Sequence, residues 1–577
     1  MAERHEQARQ DLHIWQNGQP ANFYQTNPQL QRLSRCWLPA DALARHDADL
    51  RHFGALAATT LDQAAIVNNR DGNLPRLDRW SPIGERTEGI EHHPAYEACG
   101  RAIYQEGRLI AVYAERPANV LAQALFYLSS HVGEAGHNCP VACTAGLVSV
   151  LQGPASPELR ARYLPPLLND AWGERFDGAQ FLTEIQGGSD VGANAVVARP
   201  DGEAFGTTCW RVWGEKWFCS NAGADLILMT ARIEEAPEGT AGLALLLVPR
   251  RLEDGRLNHF RLRRLKDKLG TRSLPSAEID FEGAVGYAIG RAEDGFRHVM
   301  NHVINTSRLY NTTGCAGIAR RAHLVAQGYA RSRQAFGRPI AEFPLVQEML
   351  ARTAAVSAVL LAGSLHLAAA LDALARVEAP DEPERAFVRI AVNLCKMASC
   401  QHSHRVVLTA IETLGGNGAI ESFSVLPRLL RDNVVYENWE GTHNVLLAQT
   451  SRDFQRDGLR EGFFAGLQRR LEQADDGTGL LQPAWEVFQQ AQQAWPRIAS
   501  EPDDGMAVLF LRPHLEKLAD VFFAAAYAAD LAEEADPVRR AQEREALAFF
   551  VQERLASAMP TRDQSYAARV ALVATLA

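Results

Sequence analysis

The chain has 577 residues, and its 59 lysines and arginines against 69 aspartates and glutamates give a net charge of −10. Hydrophobic residues make up 47% and charged residues 22%, which are the proportions of ordinary globular proteins. These values exclude wholesale disorder, a collagen-like repeat and a disulfide scaffold. The net acidity also argues against a generally basic surface that coats nucleic acid.

Nine cysteines are spread along the chain, an odd number that includes no C-x-x-C pair. This usage is typical of reduced thiols in an intracellular protein, packed as small apolar side chains. The first residues, MAERHEQARQDLHIWQ, are polar and charged and contain no apolar segment of the kind that a secretory signal requires. We therefore expect a cytoplasmic protein.

Helical periodicity predicts an N-terminal helical domain over residues 1–177. Four apolar residues recur at i, i+3, i+4 and i+7, the spacing of one helix face: Leu121, Ala124, Leu125 and Leu128.

The pattern changes to short apolar runs, which predict a β-domain over residues 178–292. The runs lie at 225–230, 243–248 and 277–281, and turn signals such as Asp254-Gly255 separate strands of this kind.

Helical patterns return after Asp294, a suitable N-cap, and predict a helical bundle over residues 293–450. Within it, the uncharged stretch 353–371 is long enough to span a membrane. Its alanine-rich composition and polar interruptions, such as Ser357 and His366, favour a helix buried in the bundle instead.

Residues 451–577 form a predicted helical C-terminal extension, whose 14 Lys/Arg and 20 Asp/Glu give a net charge of −6. The pair Asp536-Pro537 predicts a helix start, and Pro560 predicts that this helix ends near Met559. Alanine-rich amphipathic faces predict that the extension packs on the body of the protein or on another subunit. The fold class is therefore α+β and mostly α.

Two motifs of the β-domain could bind a cofactor. In Thr183-Glu-Ile-Gln-Gly-Gly-Ser-Asp190, the glycines would let backbone N–H groups approach an anion, although a simple capped turn explains the same residues. In Gly214-Glu-Lys-Trp-Phe-Cys-Ser-Asn221, an aromatic ring could stack on a flat cofactor beside a hydroxyl group. An ordinary amphipathic strand is the alternative for this second motif.

Three further segments belong to the helical bundle: 333–340 (RQAFGRPI), 414–418 (LGGNG) and 436–444 (YENWEGTHN). Arg333 could hold a phosphate, and the glycines permit close backbone approach. Glu440 in an apolar setting would have a raised pKa and could act as a base. Taken singly, each segment is explained at least as well by a solvated turn or a helix end.

In order and spacing, these five segments resemble the acyl-CoA dehydrogenase family of flavoproteins over about residues 95–450. The resemblance implies an acyl-CoA dehydrogenase-like fold, with an N-terminal helical domain, a central β-domain and a C-terminal helical bundle, here followed by the extension. It also implies bound FAD, an acyl-CoA substrate and an electron acceptor such as an electron-transfer flavoprotein. A homo-oligomer, either a dimer or a tetramer, is implied as well.

The resemblance assigns flavin-binding roles to residues in all five segments. Phe218 takes the place of the usual tryptophan, and Ala335 replaces a hydroxyl residue that is common in the family. Arg333, Phe336 and Gly337 match residues that reach the FAD of a neighbouring subunit. The implied flavin-binding residues are Thr183, Gly188, Ser189, Phe218, Ser220, Arg333, Phe336, Gly337, Gly415, Gly416, Asn417, Thr442 and Asn444.

Glu440 matches the catalytic base of the family, and Arg308 and Gly441 match positions on the substrate side. Some branches carry the base just before an arginine on an earlier helix, but Ser307 stands there and cannot serve. By this resemblance Glu440 would remove the α-proton while its backbone N–H holds the thioester oxygen, and the β-hydride would pass to the flavin. The product would be the trans-2-enoyl-CoA.

A metal site is not predicted. Four potential ligands cluster in the bundle, but their spacing matches no zinc motif and predicts ordinary helix packing: Cys395, Cys400, His402 and His404.

Further segments, such as His93-Pro-Ala-Tyr96 and Glu134-Ala-Gly-His-Asn-Cys-Pro140, resemble the adaptive-response (AidB-type) branch. That branch has a helical extension and a link to DNA, but the charge of −6 argues against carrying a nucleic-acid partner over. The basic run 261–268 (RLRRLKDK) could bind CoA phosphates or nucleic acid, or form a solvated strand edge. An acyl-CoA oxidase and a low-activity flavoprotein with a stress-response role remain alternative functions.

Overall fold

The computed structural model describes residues 2–377 and 381–576, which form two compact units. The helical unit comprises the described residues of Met1–Thr59, Asn119–Gly133 and Asn311–Ala577. The barrel unit comprises Thr60–Ala118 and Glu134–Tyr310. The predicted N-terminal domain of 1–177 is therefore divided between the two units.

The barrel unit is built around a seven-stranded sheet. Strand order is β3-β6-β4-β5-β9-β7, β8 pairs with β9, and an additional pairing of β6 with β7 closes the sheet on itself. The strands are β3 (Gly178–Phe181), β4 (Val197–Ala204), β5 (Thr207–Ser220), β6 (Leu226–Ile233), β7 (Leu243–Pro249), β8 (Phe260–Leu265) and β9 (Ser276–Ala288).

Alternating residues of these strands fill the barrel. Ile227, Met229 and Ala231 of β6 lie in the barrel core, as period-2 alternation requires. The whole of β7 is buried, because α9 covers its outer side, and this explains its continuous apolar run. The predicted strands at 225–230, 243–248 and 277–281 thus correspond to β6, β7 and β9.

Helices and one hairpin complete the barrel unit. The helices are α4 (Asp62–Asn68), α5 (Pro94–Gly100), α7 (Ala135–Gln152), α8 (Pro157–Leu168) and α9 (Gly295–His298). The hairpin pairs β1 (Arg76–Trp80) with β2 (Arg86–Glu91) in a region predicted to be helical. Helix formation fails there because Pro82 and Gly84, the latter at φ +80°, make a turn between two mostly polar strands.

The helical unit contains the remaining elements. Its helices are α1 (Ala2–Asn17), α2 (Pro28–Trp37), α3 (Ala40–Leu56), α6 (Asn119–Ser130), α10 (Asn305–Ser332, which begins in the barrel unit), α11 (Pro344–Arg376), α12 (Glu382–Leu414), α13 (Leu426–Asn438), α14 (His443–Phe454), α15 (Asp457–Ala474), α16 (Gln482–Ala499), α17 (Asp504–Ala532), α18 (Pro537–Arg554) and α19 (Gln564–Val573). Two short strands, β10 (Gln334–Ala335) and β11 (Arg338–Pro339), form a hairpin before α11.

Helix α11 is long and apolar enough to cross a membrane by length and composition, with a mean hydropathy of 1.9 over an 18-residue window. Protein buries 83% of that window. The helices packed on it include α6, α12, α17, α18 and α19. The stretch 353–371 therefore lies in a helix surrounded by other helices, in agreement with the expectation of a buried bundle helix.

The extension is helical, as predicted, and packs on the bundle: α15 lies on α12, while α17, α18 and α19 lie on α11. Asp536 caps α18 by accepting hydrogen bonds from the backbone N–H groups of Val538 and Arg539. The predicted end of this helix near Met559 is wrong. Helix α18 ends at Arg554, where the N–H groups of Leu555 and Ala556 both bond the carbonyl of Val551 and close its last turn.

Arg32 of α2 joins the N-terminal helices to the extension. Its buried guanidinium bonds Asp530 at 2.6 and 2.7 Å and Glu543 at 2.7 Å, and it also pairs with Glu534. Gln29, one turn earlier, donates to the carbonyl of Ala358 on α11 at 2.9 Å. These contacts explain why the first helices belong to the helical unit.

We expect Arg32→Ala to destabilise the helical unit by about 3–5 kcal/mol, because it leaves the buried carboxylates of Asp530 and Glu543 without their counter-charge, although Glu534 keeps Arg539. Urea unfolding should show the loss, and limited proteolysis should cut the extension earlier than in the unmodified protein. Arg35→Ala, which removes an exposed arginine from the same helix, is the control and should change stability by less than about 0.5 kcal/mol. Equal stability of the two variants would contradict this account.

Candidate functional site

The Thr183–Asp190 motif follows β3 and is fixed to the barrel by a buried ion pair. Lys216 Nζ of β5 lies 2.7 Å from Glu184 Oε1, and both side chains are buried. The carboxylate of Glu184 also accepts the backbone N–H groups of Ala195 and Val196 at 2.6 and 3.2 Å. The first part of the motif is thus a fixed turn, and Ser189, near its end, is exposed.

Burial and pairing act on this ion pair in opposite directions. Burial tends to raise the pKa of Glu184, but the charge and hydrogen bonds of Lys216 outweigh it and leave that pKa below its usual value. Burial lowers the pKa of Lys216 despite the nearby carboxylate. The tight packing of the turn is seen at Gly188, where an added Cβ would lie 2.5 Å from Thr183 Oγ1.

The second motif carries a β-bulge at the end of β5. Lys216 pairs with Ile279 and Cys219 with Ala277, so the strand holds one extra residue between them. Both Lys216 and Cys219 consequently point inward, and Phe218 is turned outward with 51% of its surface exposed. Ser220 Oγ lies 3.1 Å from Ser276 Oγ across the pair of strands. An exposed ring and a hydroxyl therefore stand near each other at one end of the strand.

A small basic cavity lies beside these residues. It has a volume of about 220 Å³, and its lining includes Lys266, Lys268, Arg272 and Ser276. Lys268 Nζ donates to Ser276 Oγ at 2.9 Å, and Lys266 Nζ stands 3.5 Å from the centre of the Trp217 ring. Lys266 pairs with Glu278 at 2.8 Å and Arg272 with Asp71 at 2.6 Å, so much of the positive charge beside the end of β5 is balanced by carboxylates.

The basic run 261–268 is neutralised along β8, an edge strand of the sheet. Two acidic residues of the neighbouring β9, Glu278 and Asp280, hold four of its cations within 3.0 Å. Glu215 of β5 and Glu282 of β9 add two more carboxylates, at 2.5 Å from Arg263 and 3.5 Å from Arg261. The partners of these carboxylates are Arg261, Arg263, Arg264 and Lys266. This pairing agrees with a solvated strand edge and removes the main cationic surface that the sequence offered to nucleic acid.

Ser307 and Arg308 lie at the start of α10, and both are buried. Ser307 Oγ donates to Gln180 Oε1 of β3 at 3.2 Å. The hydroxyl is thus used in packing within the barrel unit, which fits its exclusion as a base.

Glu440 lies in the tight turn between α13 and α14. Its backbone adopts the left-handed conformation with φ +56°, and Gly441 follows at φ +101°. Left-handed backbone at a non-glycine residue is uncommon and is often found at functional sites. Thr442 is the residue before α14, and Thr442 and Asn444 are both exposed.

Lys396 of α12 binds the backbone of the Glu440 turn. Its fully buried Nζ donates to the carbonyl oxygens of Glu437 at 3.1 Å and Gly441 at 2.9 Å, on the two sides of Glu440. The Glu437 side chain lies 2.5 Å from His404 Nδ1 and 3.3 Å from His443 Nε2. Burial tends to raise the pKa of Glu437, but bonds from the two histidines lower it below its usual value. Because Lys396 bonds the carbonyl groups on both sides of Glu440, it fixes the backbone of that residue.

The hairpin that carries Arg333, Phe336 and Gly337 extends from the helical unit. Phe336 and Gly337 form its two-residue turn with φ +54° and +87°, and the Phe336 side chain is 96% exposed. Arg333 makes no ion pair within residues 2–377 and 381–576. An exposed aromatic ring and a free arginine on one hairpin are suited to contact another molecule.

The glycine motif follows the last residue of α12. Gly415 adopts φ +60°, and a Cβ added at Gly415 or Gly416 would meet no atom within 4 Å. Asn417 Nδ2 donates to Tyr329 OH at 3.1 Å. The motif therefore acts as a helix C-cap and also leaves open space above its backbone.

The Cys/His cluster of α12 is used in separate contacts. Cys400 Sγ lies 3.5 Å from Cys315 Sγ, His402 Nε2 lies 2.6 Å from Asp520, and His404 contacts Glu437. In the described ranges, no three histidine, cysteine or acidic side chains come together as a metal site. Eight of the nine cysteines are buried, and Cys36 is the exposed one.

Two positioning residues, Lys216 and Lys396, escaped the sequence analysis. Lys396 stands in an apolar stretch of α12 between Cys395 and Met397, and that unusual placement is a signal that could have found it. Lys216 directly follows Glu215 and carries no such signal. Their partners lie 32 and 45 residues away, which a linear motif cannot show.

Comparison with known families assigns nearly all of residues 16–454. The N-terminal domain of the adaptive response protein AidB matches residues 16–174. The middle domain of acyl-CoA dehydrogenases matches residues 179–284, and their C-terminal domain matches residues 293–454.

The alignments of this chain with two relatives cover most of the length of each relative. The AidB protein of Escherichia coli K12 is 32% identical over 72% of this chain and 77% of the relative. Acyl-CoA dehydrogenase family member 11 of Caenorhabditis elegans is 30% identical over 78% of this chain and 73% of the relative. The chain belongs to the acyl-CoA dehydrogenase family. Within it, the predicted likeness to the AidB-type branch is confirmed.

Solved acyl-CoA dehydrogenases confirm the fold. Caenorhabditis elegans ACDH-11, in complex with C11-CoA, has a TM-score of 0.82 at 24% identity and covers 94% of this chain and 93% of its own. The Bacillus anthracis acyl-CoA dehydrogenase complexed with FAD has a TM-score of 0.66 at 20% identity and covers 92% of this chain and 89% of its own.

We expect Lys216→Met to destabilise the barrel unit of this acyl-CoA dehydrogenase by about 3–5 kcal/mol, because Glu184 is left buried and unpaired. Hydrogen exchange of residues 183–196 should accelerate at the same time. Lys517→Met, the same change at an exposed lysine of α17, is the control and should leave both quantities unchanged.

The double variant Lys216→Met/Glu184→Met removes both charges and should recover part of the lost stability. If it is less stable than Lys216→Met alone, the ion pair is not what fixes the turn.

Proposed function

We propose that this protein is an FAD-dependent enzyme that oxidises an acyl-CoA thioester to the trans-2-enoyl-CoA. The observation that carries the proposal is the Glu440 turn, in which an uncommon backbone conformation is held on both sides by the buried Lys396. Membership of the acyl-CoA dehydrogenase family supports the same chemistry.

The chain's features fit a flavin. In the barrel unit, the outward ring of Phe218 offers a stacking surface, and Thr183, Gly188, Ser189 and Ser220 offer hydroxyl and backbone donors. In the helical unit, Thr442 and Asn444 are exposed beside Glu440. When bound, FAD would supply the acceptor for the hydride that leaves the β-carbon.

A neighbouring subunit would contribute the hairpin and the glycine motif. The exposed Phe336, the ion-pair-free Arg333 and the open backbone at Gly415 and Gly416 support this role in a homo-oligomer. Arg333 would pair with a phosphate of the cofactor, since a guanidinium binds phosphate oxygens bidentately.

Glu440 would accept the α-proton of the substrate. Its backbone N–H would donate to the thioester oxygen, so that negative charge developing there is stabilised during proton removal. Lys396 is a positioning residue in this scheme, because it holds the carbonyl groups of Glu437 and Gly441 and thus the direction of the Glu440 backbone. Arg308 and Gly441 would lie on the substrate side.

We expect Glu440→Gln to retain flavin and bind acyl-CoA but to slow anaerobic bleaching of the flavin by at least about 100-fold, since the amide cannot accept the proton. Stopped-flow absorbance with a series of acyl-CoA chain lengths measures the rate. Glu412→Gln, an exposed glutamate of α12, is the matched control. Bleaching of Glu440→Gln at the unmodified rate would disprove the base assignment. Failure of every acyl-CoA to bleach the unmodified protein would favour the low-activity flavoprotein.

We further propose that an electron-transfer flavoprotein, rather than oxygen, takes the electrons. The names of the relatives as dehydrogenases support this choice over an oxidase. With a substrate that bleaches the flavin, turnover with an electron-transfer flavoprotein should exceed oxygen consumption by at least tenfold. An oxygen electrode and a dye-coupled assay, run at the same substrate concentration, compare the two rates. Equal or faster oxygen consumption would identify an oxidase.

A further inference from the structure

A second cavity lies within the helical unit, between the bundle and the extension. Its volume is about 270 Å³, and its walls come from α11, α12 and α18. Because α18 belongs to the extension, the cavity exists only when the extension is packed on the bundle. The residues lining it are Arg352, Thr353, Ala355, Val356, His402, Arg405, Val406, Thr409, Phe549, Phe550, Glu553 and Arg554.

The floor of this cavity is apolar. Val356 of α11, Val406 of α12 and the rings of Phe549 and Phe550 of α18 are all buried. Such a lining favours an alkyl chain over water, and burying apolar area is the main source of affinity in small-molecule sites.

The rim of this cavity carries three arginines, and two of them are paired with carboxylates of the protein. Arg352 pairs with Glu553 at 3.1 Å, and Arg554 pairs with the buried Asp520 at 2.9 Å. Arg405 has no acidic partner within residues 2–377 and 381–576. Two of the three guanidinium groups are therefore neutralised by protein, and the third is available to an anion.

Size limits what can bind. At about 30 Å³ for each water-sized group, the cavity accommodates roughly nine non-hydrogen atoms. A CoA or a nucleotide is far larger, whereas a chain of six to eight carbons fits when its carboxylate oxygens lie at the rim on the exposed Arg405.

We propose that this cavity binds a medium-chain carboxylate. Its alkyl chain lies on the apolar floor formed by Val356, Val406, Phe549 and Phe550, and its carboxylate pairs with Arg405. The site is separate from the Glu440 turn, and the proposal does not depend on the oxidation of acyl-CoA. It gives the extension a specific role, namely to complete a binding site for a small amphipathic anion.

Titration calorimetry with the full-length protein tests the proposal, using carboxylates from butanoate to decanoate. Affinity should rise by about fourfold for each buried methylene and level off near octanoate, where the cavity is full. Neutral octanol should bind at least tenfold more weakly than octanoate. Equal binding of octanol, or no dependence on chain length, would overturn the assignment, and so would equally tight binding of inorganic phosphate.

Two variants locate the binding. Arg405→Gln should weaken octanoate at least tenfold, whereas Arg385→Gln, an exposed arginine earlier on the same helix, should leave it unchanged within twofold. Thr409→Trp, at a half-buried lining position, should abolish octanoate binding while flavin absorbance and acyl-CoA-dependent bleaching stay as in the unmodified protein. Unchanged octanoate binding in Arg405→Gln would refute the site, even if Thr409→Trp failed to fold.

Discussion

The helical unit depends on a single buried arginine. Arg32 gathers Asp530, Glu534 and Glu543 around one guanidinium, so that residues about 500 positions apart are fixed in one cluster. The cluster is stable only when it is complete, because each carboxylate is costly to bury without its partner. It consequently requires the extension to be packed on the bundle, and that packing in turn creates the cavity beside α18. The acidity of the extension is partly explained by this use of buried carboxylates.

Buried lysines play the corresponding part at two candidate motifs, one in each unit. Lys216 fixes the turn after β3 through Glu184, and Lys396 fixes the Glu440 turn through two carbonyl groups. In each case the charged group positions the backbone of a turn and takes no part in the proposed proton or hydride transfer. A cofactor or substrate that must be held to within a fraction of an ångström requires such preorganised loops. The sequence motifs contain the residues proposed to bind the cofactor and the substrate, whereas Lys216 and Lys396 hold the backbone of those motifs in place.

The paired basic run changes the interpretation of the AidB-type likeness. In sequence, residues 261–268 offered a cationic surface, but four of its cations are paired with four carboxylates of adjacent strands: Glu215, Glu278, Asp280 and Glu282. An acidic extension and a neutralised strand edge both favour the small-molecule chemistry of an acyl-CoA dehydrogenase. Arg405, which lines the second cavity and has no acidic partner among the described residues, is likewise better matched to a small carboxylate.

The sequence by itself determined the family, the fold class and the barrel strands β6, β7 and β9, since these rest on local periodicity and on motifs of adjacent residues. The same motifs predict the residues of the site. Among these, Glu440 as the catalytic base stays a prediction. Tertiary structure alone decided how the N-terminal segment divides, where α18 ends and which lysines fix the two turns. The β1–β2 hairpin also emerged only in three dimensions. The end of α18 and the β1–β2 hairpin are set by local backbone bonds and turn residues that helical periodicity does not reveal. The division of the N-terminal segment and the lysine contacts depend on pairs far apart in sequence, such as Arg32 with Asp530, and periodicity along a chain carries no information about such partners.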